Sequence, residues 1–113
     1  MKPLLIIFLL VTSSHAFAGD QSGVVQKLFV SGRDYAPPFQ NPSHVSMDGN
    51  YNDRPACATS GYWAINTETE QGKALLTLLI TSSATGKSIT LYGTGSCSLR
   101  PDMETVFQVG FGD

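Results

Sequence analysis

Residues 67–92 read TETEQGKALLTLLITSSATGKSITLY, and this stretch decides the fold because it joins a helix pattern directly to a strand pattern. In its middle, leucines and one isoleucine recur at helical spacing, which predicts an apolar stripe on one face. Thr67 and Glu70 have the spacing of a capping box for the first turn, and Gly86 fits a helix end. We therefore predict a helix from about Glu68 to Ala84.

Four further segments carry strand patterns. Each is rich in β-branched and aromatic residues or alternates apolar with polar residues, as strands with one buried face do. The predicted strands are Ser22–Val30, Cys57–Ile65, Lys87–Gly95 and Thr105–Phe111. With the helix they predict an α+β, mainly β domain in which one helix packs on a twisted sheet.

Alternation within these strands assigns their side chains to faces. Trp63 and Ile65 are predicted to share one face of the second strand, and we expect Trp63 to be a core residue. In the last strand, the two predicted faces are Val106, Gln108 and Gly110 on one side and Phe107, Val109 and Phe111 on the other.

Between the first two strands, Tyr35–Asp53 is crowded with proline, asparagine and glycine. Proline breaks strand ladders, and asparagine and glycine favour turns, so we predict a long irregular loop with one short strand near Phe39. Loops of this length often carry binding functions.

Met1–Ala18 has the organisation of a secretory signal peptide. Lys2 supplies a positive start, Leu4–Val11 is an unbroken apolar run, and Ala16-Phe17-Ala18 is a small-x-small cleavage site. The apolar run is well short of the ~20 residues that span a bilayer. We therefore expect a secreted or periplasmic protein whose mature chain, Gly19–Asp113, is a single domain.

The charge distribution excludes some partners. The sequence has seven Lys and Arg against nine Asp and Glu, for a formal charge of −2. The basic residues are scattered, whereas nucleic-acid binding needs a basic stripe that follows the phosphates. We therefore expect no nucleic-acid partner and, since no later segment is long and apolar enough, no transmembrane segment.

Cys57 and Cys97 are the two cysteines, and both lie in the predicted mature chain. In an oxidising compartment they have a single possible pairing, and we predict that they form a disulfide. A redox pair and metal ligation are the alternatives, but the sequence lacks the Cys-x-x-Cys spacing typical of such sites. In the chain-entropy model this bridge contributes about 4 kcal/mol of stability.

Candidates for catalytic chemistry are few. His44 is the one histidine of the mature chain, and a small hydrolase that uses it is the least favoured function. Glu68 and Glu70 do not face each other on a helix. Asp48 and Asp53 could bind calcium, but their spacing matches no EF-hand loop. We therefore predict a protein that is not an enzyme and has no cofactor or metal site.

Aromatic residues favour a binding surface instead. Those that stand near hydroxyl and amide side chains are Tyr35, Phe39, Tyr51, Tyr62, Trp63 and Tyr92. Aromatic rings stack on sugars while short polar groups fix the sugar's orientation. The composition therefore indicates a binding module.

Three groups of residues resemble a known family. They are Ser22-Gly23-Val24-Val25, then Ala56-Cys57-Ala58 followed by Trp63-Ala64, and finally Thr85-Gly86-Lys87-Ser88-Ile89-Thr90-Leu91-Tyr92. Together they resemble the binding (B) subunits of one-A-five-B bacterial toxins of the subtilase cytotoxin, pertussis-like and typhoid toxin type. The resemblance covers Ser22 to about Tyr92.

The resemblance implies a fold, an assembly and a site. The fold is a small OB-like barrel with one helix, and the assembly is a homopentamer that binds host glycans. In those subunits a serine at the position that resembles Ser22 contacts sialylated glycans, so Ser22 is the implied glycan-binding residue. Tyr35 and Tyr92 are expected to supply aromatic support beside it.

Two functions from different classes therefore stand. The first is a secreted, non-enzymatic, glycan-binding module similar to a toxin B subunit. The alternative is a periplasmic or secreted domain that binds another protein, as an accessory factor or inhibitor, through the Tyr35–Asp53 loop. A ring subunit needs apolar surface beyond its own core, and the sequence leaves open whether Leu76 and Ile80 face a core or a neighbour.

Overall fold

The structure is a computed structural model that describes residues 18–32 and 42–111. Its elements, in chain order, are β1 (Asp20–Gly23), β2 (Val25–Phe29), β3 (Ser43–Met47), β4 (Tyr51–Asn52), β5 (Trp63–Ile65), α1 (Glu70–Thr85), β6 (Ile89–Gly93) and β7 (Glu104–Phe111). Apart from Ala18, the predicted signal peptide lies outside the described residues, as do Tyr35 and Phe39.

The seven strands form one curled sheet with the order β2-β3-β5-β7-β6-β1-β4. All neighbours are antiparallel except β5 and β7, which are parallel. The core lies where the sheet curls against α1, and its largest fully buried apolar side chains are Trp63, Ile65, Leu79, Ile89 and Leu91. This arrangement, with one helix in the described residues, confirms the predicted mainly β, OB-like fold.

Helix α1 confirms the predicted helix but begins two residues later than expected. Thr69 is the N-cap, because its hydroxyl accepts a hydrogen bond from the Gly72 backbone N–H at 3.0 Å. The capping role predicted for Thr67 is therefore wrong. The Asn66 side chain accepts a hydrogen bond from the Glu68 backbone N–H, and this bond holds residues 66–68 in a turn before the helix.

The end of α1 and its apolar stripe agree with the sequence pattern. Gly86 has a φ of 71°, and its N–H bonds back to the last turn as a left-handed cap. Leu79 is fully buried, and Leu75 and Leu78 pack against the core. Ile80 is 48% exposed, so it does not face the core of its own chain.

The prediction of one strand over Ser22–Val30 is wrong. The chain forms β1 and β2 instead, which are separated at Val24 and lie far apart in the sheet order. Gly23 makes the corner with a φ of 156°, and the Asp48 carboxylate accepts a hydrogen bond from the Val24 N–H at 2.7 Å. An added Cβ at Gly23 would meet that carboxylate, so this corner requires glycine.

The prediction of an irregular Tyr35–Asp53 loop is also wrong for the residues that the structure describes there. Two strands, β3 and β4, lie in this region. In β3 the side chains of Ser43, Val45 and Met47 are buried and alternate with more exposed ones. Because one of the buried side chains is a serine and its neighbour is a histidine, the sequence does not show the apolar–polar alternation typical of a strand. The short strand predicted near Phe39 lies outside the described residues.

The strand predicted over Cys57–Ile65 is shorter than expected. Turns occupy the residues after Cys57, and only Trp63–Ile65 joins the sheet, fully buried as β5. Cys57 and Cys97 form the predicted disulfide, with Cα atoms 6.1 Å apart. The bridge ties this turn to the segment between β6 and β7.

A bulge in β7 overturns the faces predicted for the last strand. Tyr92 pairs with Gln108, whereas Gly93 pairs with Val106, so Phe107 is an extra residue on β7. Val106 and Val109 are consequently both buried, although strict alternation assigns them to opposite faces, and Phe107 is 68% exposed.

Gly72 provides a test of how α1 begins. Replacing glycine by alanine within a helix ordinarily stabilises it by about 0.5–1 kcal/mol. At Gly72, however, the added Cβ would overlap the Asn66 carbonyl oxygen and lie 3.0 Å from Thr69 Oγ1. We expect Gly72→Ala to lower the free energy of unfolding by about 1–3 kcal/mol in urea denaturation, since overpacking costs that much.

Gly110→Ala is the matched control, because nothing lies within 4 Å of its added Cβ. This variant should be as stable as the wild type. A Gly72→Ala protein that matches or exceeds wild-type stability would contradict the close approach of α1 to Asn66.

Candidate functional site

Two of the three predicted glycan-binding residues lie on adjacent strands. β1 and β6 are antiparallel, with Ser22 opposite Thr90 and Asp20 opposite Tyr92. Because side chains alternate along each strand, these four share one face of the sheet. Strand pairing thus brings Ser22 close to Tyr92 although 69 residues separate them in the sequence; Tyr35 lies outside the described residues.

This face points away from the core. Gln21 and Leu91, which alternate with the four residues above, are buried. Ser22 is exposed, and Tyr92 is 46% exposed. The two predicted site residues are therefore open to a ligand.

The strands on either side extend the same face. β4 brings Asn52 opposite Asp20, and β7 brings Gln108 opposite Tyr92. A row of polar and aromatic side chains therefore crosses four adjacent strands. We call the following residues the outer face: Asp20, Ser22, Asn52, Thr90, Tyr92 and Gln108.

Hydrogen bonds across the strands orient several groups of the outer face. The Ser22 and Thr90 hydroxyls are 2.7 Å apart, and the Asn52 side-chain amide donates to the Asp20 carboxylate at 3.0 Å. The face therefore offers hydroxyl, amide and carboxylate groups around one exposed ring, Tyr92. Such a combination can bind a polar ring compound by stacking and directed hydrogen bonds.

A buried carboxylate lies beneath this part of the sheet. Glu104 is fully buried at the start of β7. One of its oxygens, Oε2, accepts hydrogen bonds from the backbone N–H groups of Gly19 and Gly95, both at 2.9 Å. The other, Oε1, accepts from the Tyr51 hydroxyl at 2.6 Å. The carboxylate therefore joins the residue before β1, strand β4, the segment after β6 and the start of β7.

Tyr51 connects this carboxylate to the core. Its ring stacks on Trp63 with centroids 4.5 Å apart. The Trp63 indole N–H in turn donates to the Gln21 side-chain oxygen at 2.8 Å, and the Gln21 amide donates to the Gly49 carbonyl at 2.6 Å. The structure thus confirms that Trp63 is a core residue.

The environment of Tyr51 changes its acidity. Burial raises the pKa of the Tyr51 hydroxyl far above its ordinary value, and the hydrogen bond to Glu104 and the charge of that carboxylate act in the same direction. The Arg54 guanidinium, which lies over the Tyr51 ring, acts in the opposite direction but does not outweigh them.

A second group of aromatic residues lies at the other end of the sheet. The His44 ring stacks on Phe29 at 4.8 Å and meets the edge of Tyr62 at 5.3 Å. His44 Nδ1 is 3.1 Å from the Pro42 carbonyl oxygen, to which it can donate. We call Phe29, His44 and Tyr62 the aromatic cluster; its Phe29 is 48% exposed on the edge strand β2.

Sequence reasoning missed Glu104 and Gln21. A single charged residue before a strand ordinarily marks a solvated strand end, and nothing in the sequence around Glu104 distinguishes it from such a residue. The glycines at positions 19 and 93 are the one available signal, because an added Cβ at either would overlap the buried carboxylate. Glycine clusters more often mark turns.

Comparison with protein-family models, with curated proteins and with solved structures found no match. Within residues 18–32 and 42–111, no group of three or more His, Cys, Asp or Glu side chains could hold a metal ion. In the same part of the chain, no helix has the length and apolar character needed to cross a membrane.

The Tyr51 environment predicts a response to alkaline pH. The folded protein holds the Tyr51 proton more tightly than the unfolded chain, in which a tyrosine has a pKa of about 10. The contribution of this group to the free energy of unfolding is therefore constant below that pH and is lost as the pH rises above it. Urea denaturation at increasing pH should show wild-type stability falling more steeply above about pH 10 than that of Tyr51→Phe.

At neutral pH, Tyr51→Phe should be about 1–3 kcal/mol less stable than the wild type, because one oxygen of the buried carboxylate loses its donor. Parallel pH profiles for the two proteins would contradict the assignment of the raised pKa to Tyr51.

Proposed function

We propose that the protein is an exported, non-enzymatic module that binds a glycan through the outer face, similar in role to a bacterial toxin B subunit. The observation that carries this proposal is the common orientation of Ser22 and Tyr92, which are exposed on paired strands. Ser22 is the residue that the family resemblance implies, and Tyr92 is the exposed aromatic ring expected beside it.

The chemistry of the outer face supports a sugar ligand. One side of a pyranose ring is apolar and can stack on the exposed ring of Tyr92, while its hydroxyls need donors and acceptors around that ring. Ser22 and Thr90 supply hydroxyls, Asp20 accepts, and Gln108 both donates and accepts.

Export is the second part of the proposal. The sequence order of Met1–Ala18 supports cleavage after Ala18. The Cys57–Cys97 disulfide is typical of proteins that fold in an oxidising compartment, either the periplasm or the extracellular space.

Assembly into a homopentameric ring is the third part. A single shallow sugar site binds weakly, and several copies on one ring raise the overall avidity. Apolar side chains remain exposed outside the core: Ile80 on α1, Phe29 and Val30 at the β2 edge, and Phe107 on β7. Such side chains suit an interface between subunits.

Glycan binding can be tested with the mature, oxidised protein on an array that includes sialylated glycans, followed by calorimetry with a bound glycan. We expect Tyr92→Ala to weaken binding at least about tenfold, as loss of a central aromatic contact does. We expect Ser22→Ala to weaken it by a smaller factor, since one hydrogen bond is lost.

Ser83→Ala is the matched control, because Ser83 is exposed on α1, lies outside the outer face and is not among the apolar side chains proposed for the ring interface. This control should bind like the wild type. Absence of any bound glycan, or equal binding by Tyr92→Ala and Ser83→Ala, would contradict the proposal.

The aromatic cluster favours a second candidate function, which is binding of another protein as an accessory factor or inhibitor. Its Phe29 lies on an edge strand, where a partner can add main-chain hydrogen bonds beside exposed aromatic side chains. His44 brings part of the Tyr35–Asp53 region into this cluster.

The two candidates differ in the native mass of the purified mature protein. The ring predicts a five-fold assembly in multi-angle light scattering at micromolar concentration, and Ile80→Asp or Phe107→Asp should dissociate it if its interface includes that residue. A wild-type monomer would contradict the ring and favour the protein-binding candidate, because the aromatic cluster would then be free for a partner.

A further inference from the structure

Gly19, the first residue after the predicted cleavage site, is buried. Its backbone nitrogen donates to Glu104 Oε2 at 2.9 Å, and its carbonyl oxygen accepts from the Gly93 N–H at 2.9 Å. An added Cβ at Gly19 would lie 2.5 Å from Glu104 Oε1 and 2.6 Å from Tyr51 Cε1. Ala18, one residue earlier, is exposed. The chain therefore enters the core at the residue that follows the cleavage site.

Among residues 18–32 and 42–111, the Glu104 carboxylate has no cationic partner within 4.0 Å. Its three donors, Gly19, Gly95 and Tyr51, are neutral. In the part of the chain that the structure describes, the two ion pairs within 4.0 Å are Lys73–Glu70 and Arg100–Asp102, and neither involves this carboxylate. A buried carboxylate is costly when it is hydrogen-bonded but not paired with a charge.

We propose that Glu104 is the binding site for the α-ammonium group that export processing creates on Gly19. Signal peptidase adds water across the Ala18–Gly19 peptide bond, which leaves a carboxylate on Ala18 and an amine on Gly19. At neutral pH that amine takes up a proton and is mostly an ammonium ion. The atom that donates to Glu104 as an amide in the precursor thereby becomes a cation at the same place.

This inference rests on the proposed export and extends it. The folded precursor contains a buried negative charge, whereas the folded mature chain contains a buried ion pair with a charge-assisted hydrogen bond. Cleavage therefore raises the free energy of unfolding of the domain, and the precursor folds less favourably before export than the mature chain does afterwards. The lack of space for a Cβ also explains why the residue after the cleavage site is glycine.

The test is a thermodynamic cycle on purified, oxidised protein at near-neutral pH. The mature chain that begins at Gly19 is compared with the same chain extended by Ala18, each with Glu104 and with Glu104→Gln. Extension keeps the amide N–H but removes the ammonium from position 19. We expect extension to raise the equilibrium constant for unfolding at least about tenfold with Glu104, and by less than about twofold with Glu104→Gln.

A chemical measurement keeps the test decisive if Glu104→Gln does not fold. Acylation of the α-amine by an N-hydroxysuccinimide ester should be at least about tenfold slower in the folded mature protein than in urea, because the amine is buried as an ion pair. The same comparison for the Ala18-extended chain should show little protection, since Ala18 is exposed. An unprotected Gly19 amine, or an equal effect of extension in both halves of the cycle, would overturn the proposal.

Intact mass of the exported protein separates this inference from the proposed function. A chain that begins at Gly19 but shows no coupling to Glu104 overturns the ion pair and leaves export and glycan binding untouched. A chain that begins elsewhere removes the premise and overturns the ion pair with it, whereas loss of glycan binding alone leaves the coupling unchanged.

Discussion

The carboxylate of Glu104 is the constraint on which the sheet depends. It accepts hydrogen bonds from the segment before β1, from β4 and from the segment after β6, and Glu104 itself is the first residue of β7. No apolar side chain could replace these directed bonds, because each would leave a buried donor unpaired. Removing one partner from such a network costs more than the same bond contributes on average.

The network also determines the position of the aromatic core. Tyr51 reaches Glu104 with its hydroxyl and Trp63 with its ring, and Trp63 reaches Gln21 with its indole nitrogen. Gln21 closes the chain of contacts on the carbonyl of Gly49, beside the corner between β1 and β2. A continuous series of hydrogen bonds and one ring-stacking contact therefore runs from Glu104, at the start of β7, to this corner. The apolar side chains of the core pack around it.

The sequence correctly predicted the elements whose local residue pattern agrees with the structure that tertiary packing imposes. Helix α1 and strand β6 have strong periodicity and a glycine between them, and the structure confirms both. Predictions failed where the backbone departs from regular alternation without a local signal. Three features are of this kind: the corner at Gly23, the bulge at Phe107 and the buried Ser43. At these positions the sequence pattern instead predicts a continuous strand, regular alternation and a loop, respectively.

The candidate site could be predicted only in part, and for a related reason. Ser22 was identified by resemblance and Tyr92 as an aromatic residue expected to support it, but Asp20, Asn52 and Gln108 join them only through strand pairing. A pairing register between segments so far apart in the sequence depends on the whole sheet rather than on any local pattern. Glu104 was harder still to predict from the sequence, because a charged residue at a strand end is ordinarily exposed.

The pairing register of β1 determines both which of its residues belong to the outer face and which take part in the buried Glu104 network. Gly19, just before β1, directs its N–H to the buried Glu104, and the Gln21 side chain on β1 faces the core, whereas Asp20 and Ser22 face outward. A slip of one residue would exchange these sets, exposing Gln21 and burying the Asp20 carboxylate. The hydrogen bonds from Gly19 to Glu104 and from Trp63 to Gln21, both near the start of the strand, oppose such a slip. The orientation of Ser22 and Asp20 toward solvent is therefore determined by polar groups buried on the other side of the strand.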